Sequence, residues 1–389
     1  MLRIHLMFAR RVLPAASAVM LLGALLALAP HSARAGGPGD RNRDLTLAES
    51  TAPTAGRIGD FDWRVNIDLH CFADDTEYLH IPYRVGDTIF GASLEPTFSL
   101  FLTPDWSVSA GVFVNTLFGD ETALEPVAPI VRLRGQAPDG RFVFIFGSMY
   151  TRDLHGLQDV QYVRQLLFKR PTQNGMQLMF DVGGLAGEMA IEWVSLNTPE
   201  HREHFDWINR LDVRPVPWLE FSGHAVWAHE GGQLFNNGPV RNNIVVQVTA
   251  ATKFGFMSEH RDRLRVAVST LVSFEDASSG DEFDPNVGYG VLVEIGYRWT
   301  LRDRMTLELN AMLWVNDFFI SVLGNALYQT RDLLPCVTLD WEWQAVNGLQ
   351  LRIFSEAFYV VEISRWNYAF LFAARFLMSF GPDRPDAGN

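Results

Sequence analysis

The sequence predicts an all-β protein, a transmembrane antiparallel up-and-down β-barrel of about 16 strands, with about 18 as the alternative. Three observations support this fold class. Apolar and polar residues alternate with a period of two along most of the chain, charged residues occupy the polar phase, and the N-terminus has the pattern of a secretory signal. Such a chain reaches a membrane by closing its strands into a barrel, because every backbone polar group must then be paired.

The alternation is clearest at 305–313, where Leu307 and Leu309 fall on one face of a strand and Glu308 and Asn310 on the other. A soluble sandwich could also show this period. Full charges on one face and bulky apolar residues on the other favour a barrel with an aqueous interior and a lipid-facing exterior. The same period recurs in 219–227, 263–269 and 291–299.

Residues 1–35 predict a signal peptide that is removed from the mature protein. Arginines precede an apolar stretch at 15–29, and Ala33 and Ala35 place small residues at a cleavage site. An N-terminal membrane anchor is the alternative, but the apolar stretch is shorter than the roughly 20 residues that a spanning helix needs. The signal favours the oxidising bacterial envelope, where Cys71 and Cys336 could pair, although the sequence leaves their pairing open.

The remaining chain divides into a flexible periplasmic leader at 36–56, a barrel at 57–380 and a tail at 381–389. Seventeen strand-like segments are visible, and the count should be even because both chain termini of such a barrel lie in the periplasm. Longer connections are expected at 70–88, 119–126, 230–240, 275–286 and 317–332. The segments are 60–70, 89–102, 106–118, 127–135, 141–150, 159–169, 175–183, 187–196, 204–213, 218–229, 241–254, 262–274, 287–299, 304–316, 333–344, 348–361 and 366–380.

The last strand carries an alternating aromatic face that includes Tyr368, Phe370, Phe372, Phe376 and Phe380. It resembles the C-terminal strand of bacterial outer-membrane proteins, which the barrel-assembly machinery reads as an aromatic strand ending in Phe. The resemblance, to porin-like barrels, covers about 57–380 in pattern. It implies the outer membrane of a Gram-negative bacterium, with outer-membrane lipid and the assembly machinery as partners.

The chain's formal net charge of −13 argues against a nucleic acid partner, since phosphate contacts need clustered basic residues. Charged residues in the polar phase are expected to face the lumen, where they could select solutes or pair with each other and fill the interior. The pore-lining candidates are Arg64, Asp68, Arg132, Arg134, Glu188, Glu192, Arg263, Arg265, Glu294, Arg298, Glu308, Arg352 and Glu356.

The function that this pattern favours is a porin-like channel that passes small hydrophilic solutes, by diffusion or as an export conduit. Phe354 and Phe358 lie in the polar phase and could form a stacking track for sugars, so carbohydrate is one candidate solute. We expect no cofactor, no metal and no catalytic residues, and the sequence leaves the oligomeric state open. On this interpretation the chain is not an enzyme.

Two alternatives remain: a barrel enzyme of the lipid hydrolase or acyltransferase type, and a closed structural or adhesion barrel. An enzyme would need a nucleophile and a base, and Ser222 and His224 share the lumen face, but no GxSxG motif is present. His201 and His204 lie three residues apart, a spacing that suits a metal only on a helix, so a polar turn is the preferred interpretation.

Overall fold

The protein forms a closed antiparallel barrel of 16 strands, which confirms the predicted fold class. The computed structural model describes residues 62–78, 86–119, 127–151, 154–232, 234–235, 239–255, 262–276, 285–301, 304–329 and 333–381. The predicted signal peptide (1–35), the leader (36–56) and all but the first residue of the tail lie outside these ranges. Each strand pairs with the next along the chain, and the first pairs with the last.

The first eight strands are β1 Asp62–Glu77, β2 Asp87–Phe101, β3 Trp106–Leu117, β4 Val127–Gln136, β5 Phe142–Ser148, β6 Asn174–Val182, β7 Leu185–Ser195 and β8 Glu203–Val216. The other eight are β9 Leu219–Gly231, β10 Arg241–Phe254, β11 Asp262–Asp276, β12 Asn286–Leu301, β13 Met305–Asp317, β14 Leu334–Val346, β15 Leu349–Val360 and β16 Arg365–Phe380. Helix α1 spans Leu166–Lys169, and short 3-10 turns occupy Leu154–Gly156, Ala326–Gln329 and Val361–Ile363. Within the described ranges, no helix has the length and apolar character needed to cross a membrane.

Short and long connections lie at opposite ends of the barrel. At one end, Gly183 and Gly184 join β6 to β7 with φ values of 56° and 92°. Two consecutive positive φ values are what a two-residue hairpin needs, and glycine adopts them without strain. The other end carries the connections 149–173 and 318–333. We call these the short-turn end and the long-loop end; in outer-membrane barrels short turns face the periplasm.

The predicted strand 159–169 is wrong, and its removal accounts for the odd number of segments. This stretch lies in the long connection between β5 and β6 and includes helix α1. Its apolar residues Val160, Tyr162 and Phe168 are buried, but they pack into the lumen instead of facing lipid. The predicted connection 70–88 also begins too early, because β1 continues to Glu77.

The outer surface of the barrel is apolar, as the alternation predicts. In β11, Val268 is 46% exposed while the neighbouring Ser269 is 1% exposed, and in β13 Leu309 and Leu313 are exposed on the same outer face. The exposed Cys71 and the buried Cys336 are both free thiols. This arrangement places bulky apolar side chains against lipid in the mid-section of the wall.

We expect Val268→Arg to lower the free energy of unfolding by about 2–4 kcal/mol, because Val268 lies at mid-strand on the lipid face. Reversible urea unfolding in lipid vesicles measures this change. The matched control is Gln350→Arg, at a position that lines a cavity in the lumen together with Glu342. Its cost should be well below that of Val268→Arg, and equal costs would contradict the assignment of the two faces.

Two segments from the long-loop end fold into the lumen. The first lumen segment (149–151 and 154–173) reaches opposite walls, since Arg164 contacts Asp74 of β1 and Gln158 accepts a hydrogen bond from Gln247 of β10. The second lumen segment (318–329) packs against it: Val163 N donates to Leu323 O at 2.7 Å. The lumen therefore contains folded chain in its long-loop half.

An apolar core forms where the two lumen segments meet the wall. Trp314 of β13 is fully buried, and its ring centroid lies 5.1 Å from that of Phe319 and 5.6 Å from that of Tyr328. Trp314 Nε1 donates to the Tyr328 carbonyl at 2.8 Å, so its polar group is also satisfied. These inward apolar residues explain why the polar phase is interrupted near the long-loop end of several strands.

Candidate functional site

The first lumen segment presents His155 to the inner face of β7. Leu154, His155 and Gly156 have φ values of 53°, 58° and 67°, a left-handed run that is costly for the first two residues. The His155 ring is fully buried, with Nδ1 2.5 Å from Glu188 Oε1 and Nε2 2.8 Å from Gln173 Oε1. The strained backbone is thus held in place by two side-chain contacts.

Both ring nitrogens of His155 face oxygen atoms. An ionised carboxylate only accepts hydrogen bonds, so His155 Nδ1 is the donor toward Glu188. Gln177 Nε2 donates to the same carboxylate at 2.7 Å, and Gln173 Nε2 donates to the Tyr162 hydroxyl. Burial raises the pKa of Tyr162 above its usual value, and the phenol stays neutral. This set is buried, which suits a structural role.

A second polar set lies beside it and reaches solvent. Arg170 Nη2 donates to Glu192 Oε2 at 2.5 Å and to Asp206 Oδ2 at 2.6 Å. Burial alone would lower the pKa of the Arg170 guanidinium, but Glu192 first and Asp206 second raise it, so Arg170 stays charged. The second oxygen of Asp206, Oδ1, lies 3.1 Å from His204 Nε2. A buried carboxylate therefore orients an imidazole.

His204 is the accessible member of this set. Its side chain is 31% exposed, while that of Asp206 is fully buried. Both residues lie close to the start of β8, at the long-loop end, and both face the lumen because residues two apart share one face of a strand. An imidazole held by a buried carboxylate, with its other nitrogen available, is suited to act as a general base.

Sequence reasoning missed this pair. The expected polar turn covers residues 201 and 202 only, since β8 begins at Glu203. His204 and Asp206 are two residues apart in an alternating stretch, and this spacing could have predicted that they share one face of a strand. Asp206 was not among the candidates, and neither were His155 and Arg170, which a sequence pattern could not place in the lumen.

The outer face of the same strands carries an aromatic patch, formed by Trp193, Phe205, Trp207, Trp227 and His229. The Phe205 ring centroid lies 5.7 Å from that of Trp193, 5.2 Å from that of Trp227 and 4.6 Å from that of His229. All of these residues are near the long-loop ends of β7, β8 and β9. Aromatic belts lie at the level of lipid headgroups, which places His204 at that level too.

The other predicted site residues also face the lumen, in three groups. Glu188, Glu192 and Glu356 contact the first lumen segment. Arg263, Arg265, Glu294, Arg298 and Glu308 line a cavity in the short-turn half. Two other cavities are lined by Arg64 and Asp68 of β1, Arg132 and Arg134 of β4, and Arg352 of β15. Their role as pore-lining residues stays a prediction.

Contacts within the lumen occupy the two aromatic residues of the predicted sugar track. The Arg164 guanidinium carbon lies 4.4 Å from the Phe354 ring centroid, and Phe358 is fully buried, with its ring 5.8 Å from that of Tyr328. On β4, the Arg132 guanidinium carbon lies 4.1 Å from the Tyr150 ring centroid. Aromatic faces near the lumen segments thus meet arginines and other rings of the protein itself.

Ser222 and His224 lie in the short-turn half of the lumen, away from the aromatic patch. They face inward from β9 and line the same cavity as Arg263 and Arg265. His224 Nδ1 lies 3.3 Å from Gln161 Oε1 of the first lumen segment. The His204–Asp206 pair therefore lies toward the long-loop end of the barrel, whereas Ser222 and His224 lie toward the short-turn end.

A closed barrel with an apolar outer face, an aromatic belt and a charged interior defines an integral outer-membrane β-barrel protein. The chain belongs to the lipid A 3'-O-deacylase-type family, whose match covers residues 59–382. No curated protein matches the chain. The Gram-negative outer-membrane location predicted from the sequence is confirmed.

Solved barrels resemble this one at low sequence identity. OmpT of Vibrio cholerae is 10% identical, with 84% of this chain and 99% of that chain covered and a TM-score of 0.48. An anion-selective porin from Comamonas acidovorans is 9% identical, with 82% and 100% covered and a TM-score of 0.48. OprD of Pseudomonas aeruginosa is 10% identical, with 85% and 98% covered and a TM-score of 0.43.

The expectation that the chain is not an enzyme is wrong. The family to which it belongs is described by an enzymatic activity, deacylation of lipid A, and the match spans the whole described barrel. Sequence reasoning reached the opposite conclusion because it looked for a serine nucleophile motif. A water-activating histidine needs no such motif, since the base can act on water directly.

Proposed function

We propose that this protein hydrolyses an acyl ester of a lipid in the outer leaflet, with lipid A as the substrate class. Family membership carries the proposal, because the family description specifies 3'-O-deacylation. The His204–Asp206 pair supports it with a base at the headgroup level. The 3'-O position and the identity of the acyl chain are part of the proposal.

The substrate would approach from the lipid side of β7, β8 and β9. The Phe205 ring belongs to the aromatic patch, and His204, its chain neighbour, faces the lumen. Only the backbone of β8 separates the aromatic patch from the lumen here. Because β8 begins one residue before His204, this histidine lies at the rim of the barrel. A lipid whose acyl chains lie along the aromatic patch could therefore bring its ester over the rim to the imidazole.

The reaction is the addition of water to an ester. His204 accepts a proton from water as the water oxygen attacks the acyl carbonyl carbon. The tetrahedral intermediate then collapses, the bond between carbonyl carbon and alkoxy oxygen breaks, and the proton returns from His204 to the leaving alcohol. The products are a free fatty acid and the deacylated lipid. Asp206 is a positioning residue, since it orients His204 and stabilises the imidazolium.

Arg170 and Glu192 support this arrangement from inside the lumen. Arg170 contacts both buried carboxyl groups, Glu192 and Asp206, and so places a positive charge beside the group that orients His204. Arg170 itself comes from the first lumen segment, just after helix α1. Correct folding of that segment is thus a condition for the orientation of His204.

The activity is tested with the full-length protein in mixed micelles of uncharged detergent and purified lipid A. Mass spectrometry should show the loss of one ester-linked acyl chain and the appearance of the matching fatty acid. A heat-denatured sample of the same protein is the control. Intact lipid A after prolonged incubation with protein that shows the heat-modifiable migration of a folded barrel would reject the proposal.

Passage of hydrophilic solutes is the second candidate function, and the charged inner face with its cavities favours it. The two lumen segments oppose it, because they pack together across the long-loop half. Conductance in planar bilayers separates the two functions: we expect low conductance with active hydrolysis. A barrel with neither activity would favour the closed structural or adhesion alternative.

A further inference from the structure

A basic cavity of about 440 Å³ lies in the short-turn half of the lumen, apart from the His204 site. Six basic side chains and four carboxylates line it. We propose that this cavity binds a small multivalent oxyanion, a molecule that carries phosphate or carboxylate groups. The proposal does not depend on ester hydrolysis. The basic residues are Arg210, Arg214, Lys253, Arg263, Arg265 and Arg298.

Two like-charge pairs lie directly opposite each other on neighbouring strands. Lys253 of β10 is the register partner of Arg265 of β11, and Arg263 of β11 is the register partner of Arg298 of β12. Like charges in directly opposed positions destabilise a sheet. Arg298 is also the register partner of Glu308 of β13, which offsets part of the repulsion, and a bound anion would offset more of it.

The carboxylates in the cavity offset only part of this charge. Glu220 Oε2 lies 2.9 Å from Arg214 Nε and 2.7 Å from Lys253 Nζ, so one carboxylate serves two cations. Arg265 pairs with Glu294 through its Nη1. The lining retains an excess of basic over acidic side chains in a protein whose net charge is −13. The excess is therefore local and does not reflect the overall composition.

The position of the cavity limits the direction of access. The first lumen segment covers it from the long-loop side through residues 156–158, and Arg210 Nη1 donates to the His155 carbonyl at 3.3 Å. Arg214, Lys253 and Arg298 lie near the ends of their strands at the short-turn side. A ligand would enter from the short-turn end, which faces the periplasm.

The chemistry of the lining selects for oxyanions. Arginine presents a planar fork of N–H groups that matches the paired, negatively charged oxygens of phosphate and carboxylate. A neutral sugar has no such charged oxygens. Field lines focus in a concave site lined with one sign of charge, and this raises the local concentration of the opposite ion. The volume is within the usual range for small-molecule sites.

The test uses the full-length protein in uncharged detergent and isothermal titration calorimetry at low ionic strength. The probes are pyrophosphate, citrate and, as a neutral control, maltose. We expect at least one of the two anions to bind, more weakly as salt is added, and maltose not to bind. Pyrophosphate alone would identify phosphate chemistry and citrate alone carboxylate chemistry. Binding of neither anion by folded protein would overturn the proposal.

Variants locate the site. Arg263→Gln and Arg265→Gln should each weaken anion binding by about tenfold, because each removes a charge-assisted donor. Arg352→Gln is the matched control: Arg352 also faces the lumen, its side chain is 32% exposed against 28% for Arg265, and it pairs with Asp340 of the neighbouring strand β14, outside the lining of this cavity. Equal weakening in all three variants would overturn the assignment to this cavity. Heat-modifiable migration shows whether each variant is folded. If one of Arg263→Gln and Arg265→Gln fails to fold, calorimetry of the other still tests the site.

Discussion

Replacing His204 by asparagine is expected to lower the rate of acyl-ester release by about 10²–10⁴-fold, the usual contribution of a general base. Asparagine keeps a polar group of similar size beside Asp206 but cannot accept a proton from water. The measurement is initial-rate release of fatty acid from lipid A in mixed micelles. Stability to urea should change little, because the His204 side chain is partly exposed.

The matched control is His201→Gln, an exposed histidine in the loop just before β8. Its activity should equal that of the unmodified protein. Asp206→Asn should lower the rate while leaving KM nearly constant, as expected for a residue that acts by positioning the base. Full activity in His204→Asn, or equal losses in both histidine variants, would contradict the assignment of the base.

Replacing Arg164 by alanine is expected to destabilise the protein by about 3–5 kcal/mol, because it leaves buried carboxylates without their cation. Arg164 Nη2 lies 3.0 Å from Asp74 Oδ2, and Nη1 lies 3.6 Å from Glu356 Oε1. Burial alone would lower the pKa of the Arg164 guanidinium, but Glu356 and Asp74 raise it, so the side chain stays charged.

Because Arg164 joins the first lumen segment to β1 and β15, its loss should also loosen that segment. We expect higher conductance in planar bilayers and earlier unfolding in urea. Arg141→Ala is the control, since Arg141 forms an exposed pair with Asp139 at the short-turn end, and such pairs contribute about 0–1 kcal/mol. Unchanged stability and conductance in Arg164→Ala would show that the segment is held by other contacts.

The two effects are linked through the first lumen segment. Arg170 of that segment contacts Asp206, and Asp206 orients His204. A variant that loosens the segment should therefore lower hydrolysis as well as raise conductance. Hydrolysis and conductance should both be measured on Arg164→Ala. Lower hydrolysis together with higher conductance would show that the first lumen segment supports catalysis. Higher conductance with unchanged hydrolysis would show that it does not.

Most of the barrel wall could be predicted from sequence because alternation is a local property. A period of two determines which residues face lipid, as Val268 and Ser269 show. Each strand pairs with the next along the chain, so the order of the strands follows from the order of the segments in the sequence. The failed strand at 159–169 marks the limit. A short apolar stretch can fill a lumen as well as a wall, and periodicity alone does not distinguish the two.

The candidate site was predictable only in part. Glu188 and Glu192 were identified by their phase, since both lie on the lumen face of β7. Their partners were not, because His155 and Arg170 reach them from a segment without regular alternation. The search for a serine nucleophile also directed attention to Ser222 and His224, in the other half of the lumen.

The sequence by itself determined that this protein is an outer-membrane barrel, how its faces are divided and where most strands lie. The tertiary structure alone decided that the lumen is occupied and which charges meet inside it. Arg164 and Asp74 are 90 residues apart, and their contact exists because the barrel closes and the chain between β5 and β6 folds inward. Alternation acts between neighbours along one strand, whereas these contacts depend on closure and on the burial of apolar side chains in the lumen.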